Sequence, residues 1–296
     1  MTLRPRVVMV HRRTELDDLV ARHGTLQQAA FFLRSRDRSL EEVQLRHGAQ
    51  QRAVTHVGSA IPLDWRRGQV ERVDLERFVF GPEDIIVAVG QDGLVANVAK
   101  YLDGQPVVGV NPEPGRHPGL LVPHPPHAIS ALFAGLSASS VDDQLRTMVQ
   151  ATTDDGQMLL ALNEVYVGHP SHQSARYRIQ TAAGGSERQS SSGVLVGTGT
   201  GSSGWCLSVW RERHSRFPLP TPEQPGLCWF VREAWPSPAT GIDLTEGTLG
   251  PDQHLVIVAE SELVLFGDGI ETDAIALTWG QRVTFGLAEQ RLRLIV

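Results

Sequence analysis

Short apolar runs alternate with amphipathic stretches in the first part of the chain. Residues 7–10 form an apolar run of strand length, and residues 25–34 carry apolar side chains at helical spacing. The sequence Ser39-Leu40-Glu41-Glu42 has the form of a capping box, in which a serine and a glutamate three positions later open a helix. These patterns predict an α/β domain.

The clearest element of that domain lies around residue 90. Residues 85–89 are continuously apolar and end at Gly90, residues 94–102 can form a helix, and residues 107–110 are a second apolar run. Strand, helix and strand in this order predict a βαβ unit with a tight, glycine-containing turn at the carboxyl end of its first strand. Open α/β sheets bind their ligands at such turns.

From about Leu145 onward, the pattern changes to short strands. Residues 145–152, a turn at 153–156 and residues 158–167 predict a hairpin. Further strands are predicted at residues 175–181, 193–197, 255–259, 262–266, 274–277, 282–287 and 292–296. We therefore expect an α/β domain over residues 1–135 and a β-rich domain over residues 136–296, with the last residues packing back on the first domain.

Two proline-rich segments interrupt these patterns. Residues 111–126 are expected to form a rigid irregular loop, and residues 212–241 an excursion from the β-rich domain. Three histidines of the first segment, His117, His124 and His127, match no standard spacing of metal ligands. We therefore expect no metal site at these histidines.

Composition argues against several classes of protein. No apolar run approaches the roughly 20 residues of a membrane helix, and no signal-peptide core follows Met1, so we expect a cytoplasmic protein. A net charge of −6, no basic run and 6% aromatic residues argue against a nucleic-acid partner. Lys100 is the only lysine and lies outside any P-loop. Cys206 and Cys228 have no zinc-like spacing and are expected to be reduced core residues.

Two short polar segments are candidates for ligand binding. Gly90-Gln91-Asp92-Gly93 follows a strand and precedes a helix, so its backbone N–H groups could bind an anion beside Asp92. The alternative is a turn in which Asp92 caps the helix. Asn163-Glu164 interrupts the apolar residues 158–167. Burial of a polar group without a partner costs about 1 to 3 kcal/mol, so one of the two requires a partner unless the strand simply ends there.

A third candidate segment runs from a predicted strand into a glycine-rich loop. Residues 197–204 contain no side chain larger than threonine, and Trp205 follows them. Small residues let backbone approach a ligand closely, hydroxyls can orient it, and an indole can stack on a base with a gain of about 1 to 3 kcal/mol. The alternative is a flexible glycine-serine loop with Trp205 in the core.

Five short motifs, taken in order, resemble the NAD kinase family. They are Val-Gly-Gln-Asp-Gly at residues 89–93, Pro-Val-Val-Gly-Val-Asn at 106–111, Ala-Leu-Asn-Glu-Val at 161–165, Gly-Thr-Gly-Thr-Gly-Ser at 197–202 and Gly-Asp-Gly at 267–269. The sequence Thr-Gly-Thr-Gly-Ser at 198–202 with the tryptophan at 205 beyond it, and Asn-Pro-Glu-Pro at 111–114, look more like the branch containing the mitochondrial-type enzymes. The resemblance covers about residues 85–285.

This resemblance implies a Rossmann-like first domain, a β-rich second domain and a kinase reaction. The terminal phosphoryl group of ATP would pass to the 2′-hydroxyl of the adenosine ribose of NAD, and Mg²⁺ would neutralise much of the phosphate charge. Asp92 would accept the hydroxyl proton, while Gly90 and Gly93 would shape the phosphate-binding turn. The partners implied are the substrates NAD and ATP and further copies of the chain, as a homodimer or larger homo-oligomer.

The same resemblance implies where the nucleotides bind. Asn163 and Glu164 would hold the dinucleotide, and Ser203, Trp205 and Ser208 would line the adenine site. The other nucleotide-binding residues that it implies are Asn111, Thr198, Gly199, Thr200 and Gly201.

Two positions depart from the family motif Gly-Gly-Asp-Gly-Thr. This chain has Gln91 at the second position and Leu94 at the fifth. A glutamine side chain could crowd a phosphate, and leucine lacks the threonine hydroxyl. Two alternatives to an NAD kinase therefore stay open: a catalytically silent protein that binds NAD or NADP, and a related kinase acting on a lipid or sugar hydroxyl.

Overall fold

The computed structural model of the protein describes residues 4–116, 119–138 and 140–296. His117, one of the three histidines considered above, lies outside these residues. The chain forms two compact units: unit 1 is Met1–Gln144 with Arg293–Val296, and unit 2 is Leu145–Leu292. The sequence pattern sets the division at residue 135, inside a helix of unit 1 whose residues Ile129 and Phe133 are buried in the core of that unit.

Unit 1 combines a parallel sheet with helices. Its strands are β1 (Arg6–His11), β2 (Arg66–Glu71), β3 (Asp84–Val89) and β4 (Pro106–Val110), and its helices are α1 (Glu15–His23), α2 (Leu26–Arg34), α3 (Leu40–Ala60), α4 (Asp92–Ala99) and α5 (Ile129–Ser137). The strand order is β2-β1-β3-β4, with all neighbours parallel. Residues 293–295 at the end of the chain add a parallel strand beside β4.

Local sequence explains most of these elements. All six residues of β3 are buried, which is typical of a parallel strand covered on both faces. The expected βαβ unit is present as β3, α4 and β4. The expected capping box at Ser39 is not formed as predicted, because the Ser39 hydroxyl accepts a hydrogen bond from Glu41 N–H, one residue before the position that the box uses. A full capping box is present instead at Thr14 and Asp17, at the start of α1.

Unit 2 is built from short, mainly antiparallel strands and one helix. Its elements are β5 (Asp143–Thr153), β6 (Met158–Ala161), β7 (Glu164–Gly168), β8 (Ala175–Gln180), β9 (Ser186–Ser191), β10 (Gly193–Gly197), α6 (Trp205–Glu212), β11 (Leu227–Arg232), β12 (Glu246–Leu249), β13 (Leu255–Ala259), β14 (Leu263–Gly267), β15 (Ile270–Leu277) and β16 (Arg282–Ile295). One sheet has the order β12-β11-β10-β7-β14-β15, and another contains β16-β13-β8-β9 with β5 and β6. Apolar side chains from both sheets, such as Val165 and Phe285, form one core.

Three predictions for this unit are wrong in detail. The expected strand over 158–167 is two strands, β6 and β7, which belong to different sheets. The proline-rich residues 212–241 contain β11, an apolar run that pairs with β10 and β12 inside a sheet. The two strands expected at 282–287 and 292–296 are one long strand, β16.

Two expectations drawn from composition can be compared with the structure. Cys206 and Cys228 are both buried and free, as predicted. In the part of the chain that the structure describes, no helix is long and apolar enough to cross a membrane.

Candidate functional site

A first group of predicted residues lies in unit 2, where β6 ends and β7 begins. The carboxylate of Asp268 accepts hydrogen bonds from the backbone N–H groups of Leu162 (2.8 Å) and Asn163 (2.7 Å). The N–H of Asp268 in turn donates to the carbonyl of Glu164 (3.1 Å). These bonds, two of them charge-assisted, hold the break between the two strands. Asn163 and Glu164 are thus positioned by a residue 105 positions beyond Asn163.

The glycine-rich loop after β10 packs against the same break through Thr198, which is fully buried. The Thr198 N–H donates to the carbonyl of Asn163 (2.9 Å), and its hydroxyl donates to the carbonyl of Leu162 (2.5 Å). The hydroxyl also accepts from the N–H groups of Thr200 (3.1 Å) and Gly201 (3.2 Å). A hydroxyl has one donor and two acceptor positions, so that of Thr198 is fully used. Thr198 therefore positions the loop, and its hydroxyl keeps no capacity for the implied nucleotide contact.

Thr200 differs from Thr198 in this respect. Its hydroxyl is buried and has no hydrogen-bond partner among the described residues. Leaving such a group unpaired costs about 1 to 3 kcal/mol, and a ligand that pairs with it would recover that free energy. The hydroxyl of the neighbouring, exposed Ser203 donates to the Thr200 carbonyl (2.8 Å). Thr200 is consequently the hydroxyl of this loop that is best placed to bind a ligand.

The glycines of the loop are required by contacts inside the protein. A Cβ at Gly199 would lie 1.9 Å from the carbonyl oxygen of Thr221, and one at Gly201 would lie 2.2 Å from that of Asn163. A Cβ at Gly197 would lie 2.3 Å from the Cys206 sulfur. The sequence pattern predicts that these glycines let a ligand approach the backbone closely. In the structure, the close approach is made by the chain itself.

This packing predicts that Gly199→Ala will destabilise unit 2. Because the added methyl group would meet backbone, we expect a loss of about 3 kcal/mol in the free energy of unfolding, measured by urea denaturation. Gly93→Ala is the matched control, since Gly93 is exposed in the first turn of α4 and its Cβ would meet nothing within 4 Å. That control should be neutral or more stable by up to about 1 kcal/mol. Equal unfolding midpoints for Gly199→Ala and the wild type would contradict the packing argument.

Glu164 is the residue of this unit 2 cluster whose pKa is shifted toward neutral pH. Burial, followed by the negative charge of Asp268, raises the pKa of Glu164 from 4.5 to about 7. Its carboxyl group therefore exchanges its proton near neutral pH. A group in this state can accept a hydrogen bond from a sugar hydroxyl when ionised and donate one when protonated.

Trp205 begins α6 beside the loop and is half-buried. Its ring stacks on Tyr166 with 5.6 Å between centroids and 20° between planes, and the guanidinium carbon of Arg232 lies 5.1 Å from its centroid. Ser208, one helical turn further along, is exposed and shares a helix face with Trp205. An adenine ring could therefore stack only on the part of Trp205 that Tyr166 and Arg232 leave uncovered.

A second group of predicted residues lies in unit 1, at the turn after β3. The N–H of Gly90 donates to the carbonyl of Val110 (2.9 Å), which joins the turn to the end of β4. Asp92 is the first residue of α4. Its carboxylate accepts three backbone hydrogen bonds, from Leu120 (3.1 Å), Leu121 (2.8 Å) and Val122 (3.2 Å). Asp92 thus anchors the segment 120–122 as well as standing at the predicted catalytic position.

The two residues that depart from the family motif have defined contacts. The Gln91 carboxamide oxygen accepts a hydrogen bond from an Arg12 Nη2 (3.1 Å). Leu94 is buried, and a Cβ at Gly90 would lie 3.1 Å from its Cδ2 atom. Leucine therefore fills a core position where the family motif has a threonine hydroxyl. Gly93, by contrast, leaves open space on the helix surface.

Asn111, the remaining predicted residue of unit 1, shapes the turn after β4. It is buried, its side-chain oxygen accepts from the N–H of Glu113 (2.9 Å), and its own N–H donates to the carbonyl of His124 (2.8 Å). His124 Nε2 lies 3.1 Å from the carbonyl oxygen of Ile295. Among the described residues, no group of three or more histidine, cysteine, aspartate and glutamate side chains could hold a metal ion.

The structure gathers the predicted residues at two points. Asn163 and Glu164 lie against the loop 198–201 in unit 2, followed by Ser203, Trp205 and Ser208 around the start of α6. Gly90, Asp92, Gly93 and Asn111 lie at the ends of β3 and β4 in unit 1.

No protein-family model and no curated protein sequence matches this chain.

Three residues that the structure brings to these points have no predicted role from the sequence. Asp268 holds Asn163, Tyr166 stacks on Trp205, and Arg12 donates to Gln91. The sequence contains a feature that could have pointed to two of these residues. Asp268 stands in an Asp-Gly turn between two apolar strands, and Arg12 follows the carboxyl end of the first strand.

Proposed function

We propose that the protein is an NAD kinase, which transfers a phosphoryl group from ATP or another phosphate donor to the 2′-hydroxyl of the adenosine ribose of NAD. The observation that carries the proposal is the meeting of the five motifs of the resemblance at two points. In unit 2, the motifs at 161–165, 197–202 and 267–269 are joined by hydrogen bonds of Asp268 and Thr198. In unit 1, the motifs at 89–93 and 106–111 are joined through Gly90.

The architecture of unit 1 supports a Rossmann-like domain as part of this proposal. Its parallel order β2-β1-β3-β4 and its βαβ unit are typical of doubly wound sheets. The β-rich unit 2 agrees with the second domain that the resemblance implies.

In the proposed reaction, NAD would contact unit 2. The ionised Glu164 carboxylate would accept a hydrogen bond from a ribose hydroxyl. The Thr200 hydroxyl, which has no hydrogen-bond partner within the described part of the chain, would bind a second polar group of NAD. The exposed part of Trp205 would contact adenine. These contacts would orient NAD for the transfer.

Asp92 would act on the proton of the reacting hydroxyl. A carboxylate offers about four lone-pair positions, and three are used by residues 120–122, so one is left for the hydroxyl. The 2′-oxygen would bond to the terminal phosphorus as the bond from that phosphorus to the bridging oxygen breaks. The hydroxyl proton would pass to Asp92, and ADP would leave.

Mg²⁺ fits this proposal as part of the donor. The described residues build no three-ligand cage for a metal. Mg²⁺ in phosphoryl-transfer sites is commonly held by one or two carboxylates together with substrate phosphates and water, so MgATP requires no such cage. Since the reacting hydroxyl would take the remaining position of the Asp92 carboxylate, donor phosphates and water would supply the ligands of Mg²⁺.

One observation favours a catalytically silent NAD- or NADP-binding protein as the second candidate. Gln91 and the buried Leu94 replace a glycine and a hydroxyl of the motif, while the unit 2 contacts do not depend on either residue. Donor binding is therefore where a silent protein would have lost function. Calorimetric binding of NAD without any turnover would support this candidate.

A coupled assay tests the proposed function. Purified protein incubated with NAD, Mg²⁺ and ATP should form NADP, which an NADP-specific dehydrogenase converts to a measurable absorbance at 340 nm. Parallel reactions without donor, and with other triphosphates or polyphosphate, identify the donor. Absence of NADP with every donor would contradict the proposal, and phosphorylation of a lipid or sugar in its place would support the related-kinase alternative.

A further inference from the structure

Helix α3 carries a polar residue within its apolar stripe. Its buried residues are Val43, Ala53 and Val57. Gln50 lies midway between Val43 and Val57, two helical turns from each, and therefore shares their face of the helix. Gln50 is half-buried. Polar groups on a buried face are hydrogen-bonded as a rule, so this position of Gln50 indicates a specific contact within the protein.

The partner of Gln50 is the last residue of β3. Gln50 Nε2 donates to the carbonyl oxygen of Val89 at 2.8 Å, across 39 positions of sequence. Ala53 and Val57 of α3 pack in one core with Val89, so the helix is held against the strand at this point. Val89 is fully buried, and its carbonyl group therefore depends on donors from the protein.

Val89 and Gly90 share one peptide group, and this group is held on both sides. Its carbonyl accepts from Gln50, and its N–H, which belongs to Gly90, donates to the carbonyl of Val110 at 2.9 Å. Because a peptide group is planar, hydrogen bonds on its two opposite sides fix the orientation of the plane. The direction in which the chain enters the turn at 90–93 is thus set by α3 on one side and by β4 on the other.

Asp92 follows this peptide group by two residues and is fixed a second time through its side chain. Its carboxylate accepts the hydrogen bonds from residues 120–122 described above. The peptide group before Gly90 determines where the backbone of Asp92 lies, and residues 120–122 determine where its carboxylate points. Proton transfer requires both, because the carboxylate must come within hydrogen-bond reach of the substrate hydroxyl.

We propose that Gln50 is a positioning residue for Asp92 in the proposed phosphoryl transfer. By orienting the peptide group between Val89 and Gly90, Gln50 places the backbone from which the Asp92 carboxylate reaches the substrate hydroxyl. Gln50 contacts neither the substrate nor the reacting atoms in this role. The inference rests on the proposed function and adds to it a residue of α3 that lies outside all five motifs.

Gln50→Met tests this inference, because methionine keeps the length and the helix propensity of glutamine but has no N–H donor. We expect kcat in the coupled assay to fall about tenfold, since a misplacement of about 1 Å at a reacting group can cost about 100-fold. The KM for NAD should stay unchanged, because the proposed NAD contacts lie in unit 2. Gln50→Lys, which restores an N–H donor, should recover most of the lost kcat.

Gln51→Met is the matched control. It makes the same substitution in the same helix, at a neighbouring residue that is exposed. We expect Gln51→Met to keep the kcat and the KM of the wild type. An equal loss of kcat in Gln50→Met and Gln51→Met would overturn the inference.

Hydrogen exchange gives a readout that does not require turnover. The amide groups of residues 90–93 should exchange with deuterium faster in Gln50→Met than in the wild type or in Gln51→Met. Unchanged exchange in Gln50→Met would overturn the inference whether or not NADP forms.

The kinetic results separate this inference from the proposed function. A wild-type kcat in Gln50→Met, with only a lower urea midpoint, would reduce Gln50 to a structural role and leave the NAD kinase function intact. Absence of NADP from the wild type with every donor would contradict the proposed function. It would contradict the positioning role as well, even if exchange at residues 90–93 depended on Gln50.

Discussion

Glu164→Gln should raise the free energy of unfolding relative to that of the wild type as the pH rises. The difference between variant and wild type should be about 3 kcal/mol larger at pH 8 than at pH 4.5. The pKa of Glu164 is 4.5 in the unfolded chain and about 7 in the folded one, because of burial and then of Asp268. Between these values the folded protein keeps a proton that the unfolded chain releases. The free energy of unfolding of the wild type therefore falls as the pH rises from 4.5 to 7, and glutamine, which does not ionise, removes this decline.

Urea denaturation at several pH values between 4.5 and 8 measures this effect. Glu187→Gln is the matched control in the same unit. Although burial opposes the shift, backbone N–H groups of Leu244 and Asp243 lower the pKa of Glu187. The Glu187 carboxylate therefore stabilises the folded protein at pH values above its pKa in the unfolded chain, and this stabilisation is lost in acid. Glu187→Gln should consequently lower the free energy of unfolding at pH 8. A difference between wild type and Glu164→Gln that stays constant from pH 5 to pH 8 would contradict the raised pKa.

The same substitution should reduce the affinity for NAD if the proposed function is correct. Loss of the carboxylate acceptor is expected to weaken binding about tenfold at pH 8. Wild-type affinity should rise with pH through about 7, as Glu164 ionises, while that of Glu164→Gln should not. A variant that becomes more stable and binds its ligand more weakly is expected where a protein keeps a buried charge for function.

Asp92→Asn should lower NADP formation by a factor of at least about 100 while leaving the fold and the NAD affinity nearly unchanged. Asparagine keeps an oxygen that can accept from Leu121 and Val122, the two N–H groups that share Asp92 Oδ1. It cannot accept the proton of the substrate hydroxyl. The measurements are kcat in the coupled assay, NAD binding by calorimetry and the urea midpoint.

Asp92→Ala separates the anchoring role of this residue from the catalytic one. It removes both oxygens, so the amides of residues 120–122 should exchange with deuterium faster than in Asp92→Asn. Asp64→Asn is the control for charge, since Asp64 is exposed and paired with Arg4. Wild-type turnover in Asp92→Asn would exclude Asp92 as the base and leave it with the anchoring role alone.

Much of unit 1 followed from local pattern. The apolar run at 85–89, its terminal glycine and the next apolar run were enough to predict β3, α4 and β4, since each element is specified by residues adjacent in sequence. The β-rich character of the second part also followed from short apolar segments between turns. The break at Leu162 and Asn163 could not be predicted in this way, because nothing nearby in the sequence indicates that Asp268 pairs with their N–H groups.

The sequence alone was sufficient to indicate which segments carry polar groups of interest: the turn at 90–93, the pair at 163–164 and the loop at 197–205. Tertiary structure decided what each residue of these segments does. The Thr198 hydroxyl is saturated by hydrogen bonds within the protein, whereas the Thr200 hydroxyl has no partner among the residues that the structure describes, although both are threonines of one loop. Hydrogen-bond capacity, burial and charge depend on neighbours distant in sequence. For that reason the pKa of Glu164 and the anchoring by Asp92 emerged only from the folded chain.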